Sequence, residues 1–360
     1  MPGHSSMTSK DRVLAAFAFE EPDRVPAWFG AAPETREAMI DHLGLANDEA
    51  LSVFLGDDFR RVHATYAGPI EHGPDANLAP GSTYRSPFGV ERHGYGWGMP
   101  RSHPLAGATL GDVHDYPWPD PAWMSAAGIR TEIEAWQGEY AILGGDWSPF
   151  WHDAIDLLDM EELLVSMYEQ PKLVDALLEH IVDYYFGVSE RIFDAAADLI
   201  DIFFIGNDFG GMNGPLMSEA TFRRFFAPHL KRLSDLGHDY GLKVMMHCCG
   251  GFAPLIPAMI ESGLDGLQAL QPSARGMEPA ELKAAFGDKI LMNGCIDTQF
   301  VLIQGTPDQV RTKTREILDV MMPGGGYVAS PSHDYVLPET PLENLIALYE
   351  TVQEHGRYPT

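Results

Sequence analysis

The chain has 360 residues, 45% hydrophobic and 21% charged, with a formal net charge of −28 at pH 7. Such an acidic excess rules against sequence-independent nucleic-acid binding and against docking on an anionic membrane, since both rely on basic patches. Its length is enough for a large core without disulfide staples, and the three cysteines, two of them adjacent (Cys248, Cys249 and Cys295), do not make a disulfide framework.

Taken in order, residues 1–7 read as a flexible tail with no secretory h-region, and no later apolar run approaches the roughly 18 residues of a bilayer span. A soluble protein of the reducing cytoplasm is the expectation. Thr8-Ser9-Lys10-Asp11 has the form of a capping box opening the helix "RVLAAFAFE". "RVPAWFG" (24–30), "FRRVHA" (59–64) and "YAILGGD" (140–146) read as strands. Between the last two, the turn-rich, aromatic stretch "STYRSPFGVERHGYGWGMP" (82–100) suggests inserted hairpins, and helices are expected over 160–198.

From residue 199 the alternation is regular. Strand "LIDIFFIGND" (199–208) leads to one long helix over 218–241, with Ser218 as N-cap and Gly241 as stop. Strands over 242–249, 266–271, 289–297 and 326–333 alternate with helices over 252–263, 278–287, 306–321 and 340–356. Short links between strand and helix demand a parallel sheet, and eight strands are the count of a closed (β/α)8 TIM barrel. No linker divides the chain, so residues 1–360 are expected to form a single domain. "PGGGY" (323–327) reads as a tight helix-to-strand turn.

In such a barrel the working residues gather at the C-terminal strand ends. Here these ends carry His63, Asp146, Asn207, Asp208, His247, Cys249, Gln271, Cys295, Asp297, His333 and Asp334. The stretch "GLKVMMHCCGGF" (241–252) is the most suggestive. Side chains alternate along a strand, so His247 and Cys249 share one face while Cys248 turns to the helix layer. An imidazole and a thiolate on one face can share a tetrahedral Zn²⁺. A third ligand must come from elsewhere, and both Cys295 and His333 qualify. Asp208 suits a general acid, a metal ligand or a helix cap. Asp146, Asn207, Gln271 and Asp297 are expected to line a substrate pocket. Dinucleotide and P-loop glycine spacings are absent, as are G-x-S-x-G and H-E-x-x-H.

"FIGNDFGGMNGPLMSEATFRRFFAPHLKRL", the stretch from "HDYGLKVMMHCCGG" to "MNGCIDTQ", and "MPGGGYVASPSHDYVLPETPLENLIALYE" together resemble the uroporphyrinogen decarboxylase superfamily, in the branch of cobalamin-associated methyltransferases. The resemblance runs from about Met7 to Arg357. It implies a (β/α)8 barrel and a zinc-dependent methyltransferase, with one Zn²⁺ per chain. It further implies a corrinoid carried by the substrate or a partner protein rather than held tightly. The family's zinc site has a His-x-Cys pair, matched by His247 and Cys249, and a further cysteine after the last strand. This chain has "SPSHDY" there, so the third ligand falls to His333, with Cys295 as the alternative. True uroporphyrinogen decarboxylases carry arginines after the first strand, whereas here residues 27–32 contain none and the next is Arg36. Metal-free decarboxylation of a smaller acid is the alternative activity, and a non-catalytic barrel that binds a ligand or corrinoid is the second. Nothing in these residues separates a monomer from a homodimer.

Overall fold

The computed structural model describes residues 7–73, 78–96 and 98–359; most of the expected tail lies outside the described residues. Seven parallel strands form one sheet in the order Phe59–Arg61, Ala141–Gly144, Ile202–Gly206, Lys243–His247, Gly266–Leu270, Leu291–Ile296 and Tyr327–Pro331. The eighth position is held by the expected first strand in reduced form. It makes an isolated parallel bridge, Ala27 to Ala329. Trp28 N donates to Ala329 O at 3.0 Å, and Asp58 N donates to Ala27 O at 2.9 Å, which links the last strand of the sheet to its first. The curled sheet is thus a TIM barrel of the (β/α)8 type.

The alternation that predicts the strands also sorts the core. Phe59, Ala141, Leu143, Ile202, Phe204, Met245, Leu291 and Val328 pack inside the barrel with Trp28. Their neighbours Ile142, Phe203, Ile205, Val244, Met246, Met292 and Tyr327 pack outward in the larger cluster under the helices. Val13, Ala16 and Phe17, from the helix Ser9–Phe17, join the inner cluster. That helix starts after Thr8, whose Oγ1 caps it by accepting from Asp11 N at 3.0 Å. It closes the N-terminal end of the barrel and is held there by ion pairs. Asp58, fully buried, accepts from Arg12 Nη1 at 2.6 Å and from Arg24 Nη1 at 2.8 Å. The opposite end is left for the site.

Two differences from the sequence expectation have local causes. The long helix over 218–241 is two, Glu219–Phe225 and Ala227–Asp239, broken at Phe226 just before Pro228, which cannot donate a backbone hydrogen bond. Ser218 caps the first as expected, accepting from Thr221 N. A helix not anticipated, Phe150–Leu158, buries Phe150, Trp151, Ala154, Leu157 and Leu158. The hairpin expected over 82–100 forms, with strands Leu78–Arg85, Glu91–Gly96 and Met99–Pro100. No helix among the described residues is long and apolar enough to cross a membrane.

Candidate metal centre

Two loops at the C-terminal barrel rim build the site. After the Ile202–Gly206 strand the chain continues as Asn207, Asp208, Phe209 and Gly210, and after Lys243–His247 it continues as Cys248, Cys249, Gly250 and Gly251. The loops zip together through an antiparallel bridge between Gly211 and Gly251, with Gly251 N donating to Gly211 O at 2.8 Å. A Cβ at Gly210 would lie 2.6 Å from the Cys249 carbonyl oxygen, so this approach requires glycine. The consequence is that Asp208 meets Cys249: its Oδ1 accepts from Cys249 N at 2.7 Å.

Three donor atoms converge there. Cys249 Sγ lies 3.1 Å from His247 Nε2, which lies 3.4 Å from Asp208 Oδ1. The atoms of Asp208, His247 and Cys249 that could hold a metal ion all fall within 4.8 Å of one another. Behind them stands an orienting shell. His247 Nδ1 donates to Gln268 Oε1 at 2.5 Å, which leaves Nε2 facing the thiol and the carboxylate. Gln268 Nε2 donates to Asp334 Oδ1 at 3.1 Å, and the same oxygen accepts from Trp28 Nε1 at 2.8 Å. On the other side, His152 Nε2 lies 3.2 Å from Asp208 Oδ2. The Trp147 ring packs 5.4 Å from the His247 ring, over Gly206, where a Cβ would lie 1.9 Å from the indole.

The electrostatics follow from these contacts. Burial opposes charge on Asp208, but the His152 and His247 hydrogen bonds outweigh it and hold the carboxyl well below the usual range. Burial likewise opposes a charged His247, yet the Cys249 thiolate and Asp208 raise it well above the ordinary imidazole value. The Cys249 thiol is lowered, burial being overcome by the His247 charge and by hydrogen bonds from His247 and His333. The pocket therefore favours an ionised sulfur.

The remaining expected residues are spread more widely. His333 stands beside the thiol but outside the close group, its Nδ1 accepting from Tyr335 N at 3.0 Å. Cys295 packs in the outer core with Tyr327, and burial pushes its thiol up to about 12. Cys248 also packs outward, as alternation predicts. Asn207 is fully buried and knits the rim, accepting from Trp151 N at 2.9 Å and donating to Ser148 O at 3.2 Å. Asp146 accepts from Ser148 N at 3.1 Å, and burial pushes its carboxyl up to about 6. Gln271 Oε1 accepts from Gly250 N at 3.2 Å. Asp297 caps the turn Thr298–Ile303, accepting from Phe300 N. Sequence reasoning missed His152, which lies on the unanticipated helix, and Arg61. Arg61 is two residues on from inward-facing Phe59, so period-two alternation could have found it.

The uroporphyrinogen decarboxylase family model matches residues 103–355. The chain belongs to this family. It is 26% identical over 240 residues to the methylcobamide:CoM methyltransferase of Methanosarcina barkeri, a match covering 65% of this chain and 64% of that protein. The chain thus spans under two thirds of that relative's length. It is 24% identical over 264 residues to the methylated-thiol–coenzyme M methyltransferase of Methanosarcina mazei, covering 72% of this chain and 67% of that protein. The uroporphyrinogen decarboxylase of Aromatoleum aromaticum is 25% identical over 205 residues, covering 55% of this chain and 53% of that protein. In fold, the chain superposes on a methyltransferase from Methanosarcina mazei with a TM-score of 0.68 at 20% identity, covering 97% of this chain and 99% of the other.

Proposed function

We propose that this chain is a methyltransferase that moves a methyl group between a corrinoid and a thiol or other small molecule, with one zinc ion per chain. The corrinoid would be carried by the substrate or a partner protein. The observation that carries this reading is the convergence of Asp208, His247 and Cys249 within 4.8 Å. Nitrogen, sulfur and oxygen donors at one point are a set that Zn²⁺ accepts, and the Gln268 contact to His247 Nδ1 is the outer support that metal-ligating histidines commonly have. His247 and Cys249 would hold the ion with Asp208 as third donor, and His333, expected from the sequence, stands next to the thiol. Zinc there would supply Lewis acidity that keeps a coordinated thiol deprotonated near neutral pH, where a free one with a pKa of about 8.5 is mostly protonated. The chain's own residues do the rest: Gln268 and Asp334 fix the imidazole, His152 fixes the carboxylate, and Trp147 walls the pocket. The names of the matched relatives point the same way.

Against decarboxylation of a polycarboxylate, Arg36 is taken up by Asp48, with Nε 2.7 Å from the carboxylate. A single domain, as monomer or homodimer in a reducing cytoplasm, fits the three free cysteines. The test uses methylcobalamin as donor and a small thiol as acceptor, followed by the corrinoid absorbance. Demethylation by the zinc-loaded protein, abolished in Cys249→Ala, is expected. No turnover with any thiol, together with carbon dioxide release from an acid by metal-free protein, would replace the reading with decarboxylation.

A further inference from the structure

His152 Nε2 lies 3.2 Å from Asp208 Oδ2, yet nothing local fixes the His152 ring. Its Nδ1 is buried and has no hydrogen-bond partner among the described residues. His247 differs, since Gln268 holds its Nδ1. The aim of His152 at the carboxylate therefore depends on where the helix Phe150–Leu158 lies. That helix is tied at both ends. At its start, Trp151 N donates at 2.9 Å to Oδ1 of Asn207, the chain neighbour of Asp208. At its far end the ties come from the segment inserted between the first two strands of the sheet. His103 Nδ1 donates to Asp156 O at 2.9 Å, and Leu105 N donates to Leu157 O at 2.9 Å. A third tie is an ion pair: Arg92, on the hairpin strand Glu91–Gly96, meets the Asp156 carboxylate through Nη2, and both side chains are largely buried. Arg92 Nη1 donates to Gly98 O at 3.1 Å, so one guanidinium fastens the hairpin to itself and to the helix.

Asp156 stands one helical turn beyond His152, on the same face of the helix. The Arg92 charge also reaches Asp153, whose carboxylate accepts from the Tyr185 hydroxyl. Sliding or turning the helix would part Arg92 from Asp156 and leave both charges buried and unpaired, which is costly. A buried ion pair adds little net stability over an apolar pair of the same volume; what it fixes here is position. We infer that Arg92 is a positioning residue of the metal centre. By clamping Asp156 it sets the helix so that His152 meets Asp208, and it thereby couples the inserted hairpin to the ion. The inference rests on the reading of Asp208, His247 and Cys249 as zinc ligands. Coupling of this kind is reciprocal: if a docked hairpin favours zinc, bound zinc favours the docked hairpin by the same factor.

The experiment measures zinc affinity by chelator competition in wild type, Arg92→Gln, Arg92→Lys, His152→Ala and the double variant Arg92→Gln/His152→Ala, with thermal unfolding of each metal-free protein alongside. Arg92→Gln is expected to weaken zinc binding about tenfold, the low end for an outer partner because its effect passes through another residue. Arg92→Lys keeps the charge without the fork and is expected to recover part of that loss. In the His152→Ala background, Arg92→Gln is expected to cost no further affinity. A clamp that serves folding alone predicts otherwise: melting temperatures fall in both backgrounds while zinc affinity stays unchanged, or zinc is lost equally in both. Either result overturns the inference. Should Arg92→Gln fail to fold, amide exchange of the wild type decides. Zinc loading is expected to slow exchange in the strand Glu91–Gly96, and equal rates with and without zinc overturn the inference. Failure of the zinc reading looks different: wild type would then bind no zinc, which overturns both.

Discussion

Replacing Gln268 with leucine tests whether the shell behind His247 does what its geometry indicates. Gln268 is fully buried, accepts from His247 Nδ1 at 2.5 Å and donates to Asp334 at 3.1 Å. Leucine has a similar volume but offers no acceptor, so the imidazole loses the contact that directs Nε2 at Cys249 and Asp208. Removing such an outer partner typically lowers metal affinity by about 10–100-fold, or about 1.4–2.8 kcal/mol. The buried Nδ1 and the Asp334 oxygen are left short of a partner, which costs a further ~1–3 kcal/mol of folding stability. Zinc affinity is measured by competition with a chromophoric chelator, and stability by thermal unfolding of the metal-free protein. Gln268→Glu keeps an acceptor for His247 Nδ1 but turns its second oxygen against Asp334 Oδ1, so its zinc affinity is expected to fall between those of Gln268→Leu and wild type. A folded Gln268→Leu protein with wild-type zinc affinity would refute the orienting role.

Cys295→Ala is expected to leave zinc content and methyl transfer unchanged, because its thiol packs in the outer core and burial keeps it protonated; Asp208→Ala is expected to lower zinc content, as elemental analysis will show. Asp58→Ala removes the buried carboxylate shared by Arg24 and Arg12 at the closed end of the barrel, leaving Arg12 only its second partner Asp23, and urea unfolding should show a loss of about 3 kcal/mol. Burial pushes the Asp57 carboxyl up to about 7 from 3.8. The folded state therefore binds this proton more tightly than the unfolded one, and stability falls as pH rises through that window. Asp57→Asn removes the effect, so its advantage over wild type should grow between pH 4 and pH 8, by at most about 4 kcal/mol, in unfolding curves taken across that range.

Much of the barrel was legible because buried parallel strands and amphipathic helices differ in period, and from residue 199 onward the chain keeps to the two in turn. The first strand was harder to read, since Pro26 and the short pairing around Ala27 reduce it to a bridge. Pro228 divided a helix whose apolar pattern runs on across the break. At the site, His247 and Cys249 were visible because His247 ends a strand and Cys249 follows two residues on, so the facing that alternation assigns carries into the start of the loop. Asp208's approach to Cys249 depends on two loops that glycine allows to touch, and no periodicity carries that information. His152 was hidden by a missed helix. Arg61 was hidden in "FRRVHA", where two adjacent arginines face opposite ways, Arg60 to Glu49 and Arg61 into the mouth.

The most direct test is the zinc content of protein purified without chelators, by elemental analysis, in wild type, His247→Ala and Cys249→Ala. About one ion per chain in wild type, lost in both variants while the fold persists, is the predicted result. Wild type that stays metal-free after reconstitution with excess zinc, or variants that retain the ion, would contradict the account.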